Sequence, residues 1–60
     1  MIIITRTYDV KDPDGIIYLR KTTRRVFADD EIQRVQLFLD ERSQISGYEW
    51  YNVQFDYVKL

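Results

Sequence analysis

The sequence predicts an α+β fold in which a three-stranded, mainly antiparallel sheet carries one helix on one of its faces. Two strand-like runs flank a turn at residues 12–15, residues 29–42 repeat apolar side chains at helical spacing, and the last stretch alternates strictly. The element order is therefore β-β-α-β. Sixty residues provide for a single small domain, which we place at residues 1–60.

The first strand is predicted at residues 2–11, where β-branched residues dominate. Because successive side chains of a strand point to opposite sides, this stretch has one mainly apolar face that Arg6 interrupts. That face consists of Ile2, Ile4, Tyr8 and Val10. The other face carries Ile3 among polar residues.

The residues Asp12-Pro13-Asp14-Gly15 predict a tight turn. Proline fixes φ at the second position of a type I turn, aspartate suits the first and third, and glycine takes the left-handed position that follows. A three-residue loop with a glycine bulge therefore joins the first strand to a second. Extended from this loop, the pairing places Val10 opposite Tyr18 and Ile2 opposite Val26.

This predicted register places two arginines on the core face. Arg20 and Arg24 would lie there along an edge strand, with packed stems and charged groups in water. A bulge near Lys21 and Thr22 that exchanges the two faces is the alternative.

The only predicted helix covers residues 29–42. Asp29 suits the N-cap, and the acidic residues beside it favour the first turn of a helix. The apolar stripe consists of Ile32, Val35, Phe38 and Leu39, and Leu37 lies off it. Gly47 is the expected bend before the last strand.

The last strand is predicted to form the floor of the core. Its apolar face consists of Tyr51, Val53, Phe55 and Tyr57, whereas Trp50 falls on the opposite face. A position beside the first strand gives the sheet order 2-1-3, which lays the helix across the apolar face. A position beside the second strand, as a parallel pair, is the alternative.

Composition argues against an enzyme. The chain has no histidine and no cysteine, so disulfides, the usual zinc sites and the usual nucleophile–base pairs cannot form. Its two glycines cannot make a phosphate-binding loop. We predict no catalytic residue, no cofactor and no metal site.

A protein interface is predicted on the outer side of the sheet. In the predicted register Ile3, Ile17 and Leu19 lie outside the core, on the side to which Trp50 points, with Tyr48 close by. The alternative is that Trp50 covers Ile3 or Leu19 within one molecule. Since a short chain without disulfides or metal has a marginal core, we also expect a homodimer.

The second strand carries the basic residues Arg20, Lys21, Arg24 and Arg25. They suit an anionic partner or nucleic acid, and equally suit protection of a sheet edge against unwanted pairing. The net charge of −1 argues against strong non-specific binding of nucleic acid by the whole chain.

These observations together predict a non-enzymatic protein-binding module that self-associates. A small accessory or inhibitor protein of a mobile element fits this description, and a nucleic-acid-binding module using the basic strand is the alternative. No stretch resembles a secretory signal or approaches the roughly 20 apolar residues of a membrane span. We therefore expect a cytoplasmic protein without a membrane partner.

Overall fold

The computed structural model describes the backbone of residues 1–60 and all side chains except those of Ile17 and Tyr18. Its elements are β1 (Ile2–Lys11), β2 (Ile17–Phe27), α1 (Ile32–Asp40) and β3 (Trp50–Lys59). The strands form one antiparallel sheet in the order β2-β1-β3. The predicted fold class, element order and strand order are confirmed.

The hairpin turn forms as its sequence predicts. The backbone N–H of Gly15 donates to the carbonyl of Asp12 at 2.9 Å, and Gly15 has a φ of 81°. The carboxylate of Asp12 also accepts hydrogen bonds from the backbone N–H groups of Asp14 and Ile16, both at 3.1 Å. One short aspartate side chain thus holds the whole loop.

A bulge at the start of β2 makes the predicted register wrong beyond the turn. Lys11 pairs with Ile17, but Val10 pairs with Leu19, so β2 contains one extra residue. Ile2 consequently faces Phe27, and both side chains are buried. The bulge lies next to the turn and not near Lys21 and Thr22, the position of the predicted alternative.

This bulge exchanges the two faces of β2. We call the face under α1 the inner face and the opposite one the outer face. Directly opposed residues share a face, so Leu19, Lys21 and Arg25 lie on the inner face with the even-numbered residues of β1. Arg20 and Arg24 move to the outer face, which removes the difficulty of two arginines in the core.

A second bulge interrupts the alternation of β3. Thr7 pairs with Gln54 but Asp9 pairs with Tyr51, and Asn52 between them has a φ of 53°. Asparagine tolerates this left-handed conformation better than most residues. The alternation holds after Asn52 and is reversed before it, so Trp50 lies on the inner face opposite Val10. The predicted outer position of Trp50 is therefore wrong.

Helix α1 is shorter at both ends than predicted. Glu31 occupies the N-cap position and makes no side-chain cap bond, whereas the predicted cap Asp29 binds the Met1 amino group. The Glu31 carboxylate instead accepts the backbone N–H of Ala28 at 2.8 Å, which holds the turn before the helix. Val35, Phe38 and Leu39 of the predicted stripe face the core, but Ile32 is exposed.

The hydrophobic core lies at one end of the inner face. It consists of Ile2, Ile4, Phe27 and Phe38, with Val35 and Leu39 packed against it. A helix of nine residues is about 14 Å long, whereas strands of ten residues extend about 33 Å. Helix α1 therefore covers less than half of the length of the sheet, and the segment 41–49 lies over the end nearest the hairpin turn.

The guanidinium of Arg6 separates the two halves of the inner face. Its side chain lies in the middle of β1 and is only 5% exposed. The Arg6 Cζ atom lies 4.4 Å from the ring centre of Trp50 and 4.5 Å from that of Phe38. An Arg6 Nη atom donates to the Glu41 carboxylate at 2.6 Å, just after the end of α1. One cation thus joins β1, β3 and the helix end.

Replacing Arg6 should destabilise the fold strongly. We expect Arg6→Ala to lower the free energy of unfolding by about 3 kcal/mol, because it removes a buried ion pair and the group between two rings. Arg6→Met should lose less, because it keeps an apolar stem of similar length. Arg34→Ala, which removes an exposed pair with Glu31, is the matched control and should have little effect. Urea denaturation measures the free energy of unfolding of each variant. Equal losses of this free energy in Arg6→Ala and Arg34→Ala would contradict the predicted role of Arg6.

Candidate protein interface

A cleft lies on the inner face at the hairpin end of the sheet, beyond the reach of α1. We call it the hairpin-end cleft, a cavity of about 240 Å³. Its lining residues are Tyr8, Val10, Leu19, Lys21, Ser43, Ile45, Tyr48 and Trp50. Three of the residues predicted to contact a partner, Leu19, Tyr48 and Trp50, therefore meet here.

Trp50 in this cleft is held within its own molecule. Its ring centre lies 4.6 Å from that of Tyr8, and Arg6 lies against it as described above. The Tyr8 hydroxyl is 3.3 Å from the hydroxyl of Thr23. Trp50 lines the same cavity as Leu19, which is 43% exposed. The cleft is a partly open surface with aromatic side chains, of the kind that receives an anchor side chain.

The remaining predicted contact residues do not join the cleft. Ile3 lies on the outer face, where its partners across the sheet are Val26 and Val58, both exposed. This apolar row is at the end of the sheet away from the hairpin. The side chain of Ile17 lies outside the described part of the chain.

Strand β3 presents an apolar row that its alternating sequence predicts to be part of the core. Val53, Phe55 and Tyr57 are on the inner face, as predicted, but they are 40%, 41% and 57% exposed. The row touches the helix through the rings of Phe55 and Phe38, whose centres are 6.3 Å apart. We call these three residues the β3 row.

The exposure of the β3 row follows from the position of α1. The helix packs on residues of β1 and β2, namely Ile2, Ile4 and Phe27. Strand β3 is an edge strand beyond this contact, so its inner side chains have a neighbour on only one side. Strict alternation identifies the inner face correctly, but it contains no information about whether a helix reaches far enough to cover it.

The four basic residues of β2 do not form one surface. Arg20 and Arg24 lie on the outer face, and Lys21 and Arg25 lie on the inner face. Lys21 lines the hairpin-end cleft, and the Arg25 guanidinium lies 5.9 Å from the Phe38 ring. Arg20 is already engaged by a carboxylate of β1, so a phosphate would have to compete for it.

That carboxylate belongs to Asp9, which links all three strands on the outer face. It accepts hydrogen bonds from Arg20 Nε at 3.0 Å and from Asn52 Nδ2 at 2.9 Å. The bulge in β3 brings the Asn52 amide to this place. These hydrogen bonds, first that of Arg20 and then that of Asn52, lower the pKa of the Asp9 carboxyl. We call this group the outer-face clamp.

Two contacts of the Tyr51 side chain lie at the hairpin end of the outer face. The Lys11 ammonium lies 3.9 Å from the ring centre of Tyr51, and the Tyr51 hydroxyl donates to the Glu49 carboxylate at 2.7 Å. This hydrogen bond raises the pKa of the Tyr51 hydroxyl, because it stabilises the protonated form. The arrangement is a structural contact that fixes the start of β3.

The described side chains include no group of three or more acidic residues placed to hold a metal ion. In the described part of the chain, the helix α1 is not long and apolar enough to cross a membrane. Comparisons with models of protein families, with curated proteins and with solved structures give no match.

The outer-face clamp makes stability depend on pH in the acid range. Because the folded state lowers the pKa of Asp9, its contribution is complete above the unfolded value of about 3.9 and disappears as the pH falls through the folded value. The free energy of unfolding of the wild type should therefore fall more steeply with acidification than that of Asp9→Asn. Denaturant titrations at a series of pH values measure this difference. Asp14→Asn, in the exposed turn, is the control. If the free energy of unfolding fell equally steeply with acidification in the wild type and in Asp9→Asn, the predicted contribution of Asp9 would be refuted.

Proposed function

We propose that this chain is a non-enzymatic protein-binding module that uses the free edge of β3 either to bind a partner or to self-associate. The observation that carries the proposal is the exposed β3 row beside a sheet edge that no strand of the same chain covers. Exposed apolar rows mark contact surfaces, and an open strand edge supplies main-chain hydrogen bonds to a partner.

The hairpin-end cleft extends this surface. Trp50, which lines the cleft, is also the first residue of β3, so the cleft and the β3 row follow one another along the inner face. Aromatic side chains in a partly closed cleft are typical energetic centres of protein interfaces. A small accessory or inhibitor protein of a mobile element would act through such a surface by covering part of its target. A cytoplasmic location belongs to the same proposal.

Protein binding is favoured over nucleic-acid binding by the arrangement of charge. The basic residues of β2 are divided between two faces, and Arg20 is paired with Asp9. To bind successive phosphates of a nucleic acid, a β-strand needs several cationic side chains on one face. The positions of these residues are better suited to protecting the β2 edge from unwanted pairing.

A pull-down with two lysine variants tests the proposed function. Tyr57→Lys places a charge in the β3 row, and Val58→Lys makes the matched change on the outer face of the same strand, where Val58 is also exposed. After nuclease treatment at moderate salt, the wild type and Val58→Lys should retain the same protein from a lysate of the source cell, and Tyr57→Lys should lose it.

Circular dichroism should show that both lysine variants are folded. Retention that vanishes with nuclease or added salt would support the basic strand and nucleic acid instead. Equal retention by the two variants would exclude the β3 row as the contact surface.

A further inference from the structure

The backbone of β3 has alternating hydrogen-bonding groups that face away from the sheet. Leu60 donates its N–H to the Met1 carbonyl at 2.8 Å and accepts from the Met1 nitrogen at 3.3 Å. In an antiparallel ladder every second residue pairs in this way, so the even-numbered residues 54, 56 and 58 bond to β1. The N–H and C=O groups of Val53, Phe55 and Tyr57 therefore point outward.

The same three residues carry the exposed β3 row. Their outward N–H and C=O groups require hydrogen-bonding partners, and their half-exposed inner side chains require apolar neighbours. Another strand added to the same sheet supplies both. A strand laid along β3 would bond to these backbone groups and place its own inner side chains beside the row.

We propose that this partner is β3 of a second copy of the chain, paired antiparallel about a two-fold axis between the two Phe55 residues. The inference rests on the self-association in the proposed function and specifies its surface. In this arrangement Phe55 exchanges both backbone hydrogen bonds with Phe55 of the second copy. Val53 of each copy likewise faces Tyr57 of the other, so the inner row is apolar throughout.

The charges of β3 select this register over its neighbours. A pairing centred on Phe55 places the Gln54 amide opposite the Asp56 carboxylate of the second copy on the outer face, where the amide can donate to it. A pairing centred on Asp56 would place the two carboxylates directly opposite each other, which is destabilising. A pairing centred on Tyr57 would bring Lys59 opposite Phe55. The bulge at Asn52 limits regular pairing at the other end.

The opposite edge of the sheet is unsuited to the same role. Two β2 edges would bring Arg20, Lys21, Arg24 and Arg25 of both copies together. Pairing of β3 with β2 of another copy would be head-to-tail and would leave a free edge on every new copy, which leads to open chains of molecules. The β3–β3 pair closes after two copies.

The paired sheet would also cover the side of α1 that faces β3. By helical spacing, Ile32 and Leu39 lie on the flank opposite Arg34 and Leu37, which line a cavity with residues of β2. Ile32 is 63% exposed in the single chain. In the six-stranded sheet both helices lie on the same face, and the β3 rows form the floor between them.

Disulfide trapping tests this register, because the native chain has no cysteine. Phe55→Cys should form a disulfide-linked dimer under mild oxidation, since hydrogen-bonded antiparallel partners have Cα atoms about 5.5 Å apart. Gln54→Cys and Asp56→Cys should each fail to cross-link alone, because the equivalent residues are roughly 7–8 Å apart on a diagonal. A mixture of these two variants should cross-link, because residues 54 and 56 face each other at about 4.5 Å.

Light scattering on the wild type shows whether the chain self-associates, independently of the register of the strands. A dimer that forms none of these cross-links associates through another surface, which overturns the register and leaves self-association intact. Cross-linking of Asp56→Cys alone would show the register centred on Asp56. A wild type that stays monomeric at all concentrations would overturn both the register and the self-association.

Discussion

The buried guanidinium of Arg6 is the interaction on which the rest of this structure depends. It lies in the middle of the central strand, between the rings of Phe38 and Trp50, and its charge is met by Glu41. Burying a cation is costly unless it is paired and closely packed, so this position fixes the surrounding groups. The guanidinium contacts the residue that follows the end of α1, Glu41, and the first residue of β3, Trp50. The inner face is thereby divided into a core under the helix and an aromatic cleft at the hairpin end.

This division explains why an apolar strand remains uncovered. A nine-residue helix lies over the start of β1 and the end of β2, and the segment after it covers part of the hairpin end. Helix α1 contacts β3 through the rings of Phe38 and Phe55, and Val53, Phe55 and Tyr57 are still between 40% and 57% exposed. Small domains bury a limited fraction of their surface, and this chain has no disulfide to compensate. This edge strand exposes valine, phenylalanine and tyrosine, and the outward backbone groups of the same residues are the reason why we propose another β-strand as its partner.

The sequence was sufficient to predict the elements, their order and the turn, because local chemistry specifies each of them. The Asp12 loop and the stripe of Val35, Phe38 and Leu39 are examples. The two bulges were not predictable in position: each adds one residue and exchanges the faces of its strand. Two arginines on a predicted core face did indicate an exchange in β2, whereas only a single asparagine marked the bulge in β3. Three of the five predicted contact residues do lie together in the cleft, although on the inner face and not on the predicted outer face. The exposure of the β3 row depends on where the helix lies, which the pattern of a strand does not encode.

Residue-resolved amide hydrogen exchange at low and high protein concentration tests whether β3 is an open edge that a second copy completes. At both concentrations the amides of Gln54, Asp56 and Val58 should be protected, because they bond to β1. The amides of Val53, Phe55 and Tyr57 should exchange quickly in the dilute protein and become protected at high concentration. Protection of the odd-numbered amides that does not change with concentration, or that never appears, would show that a second copy does not complete β3.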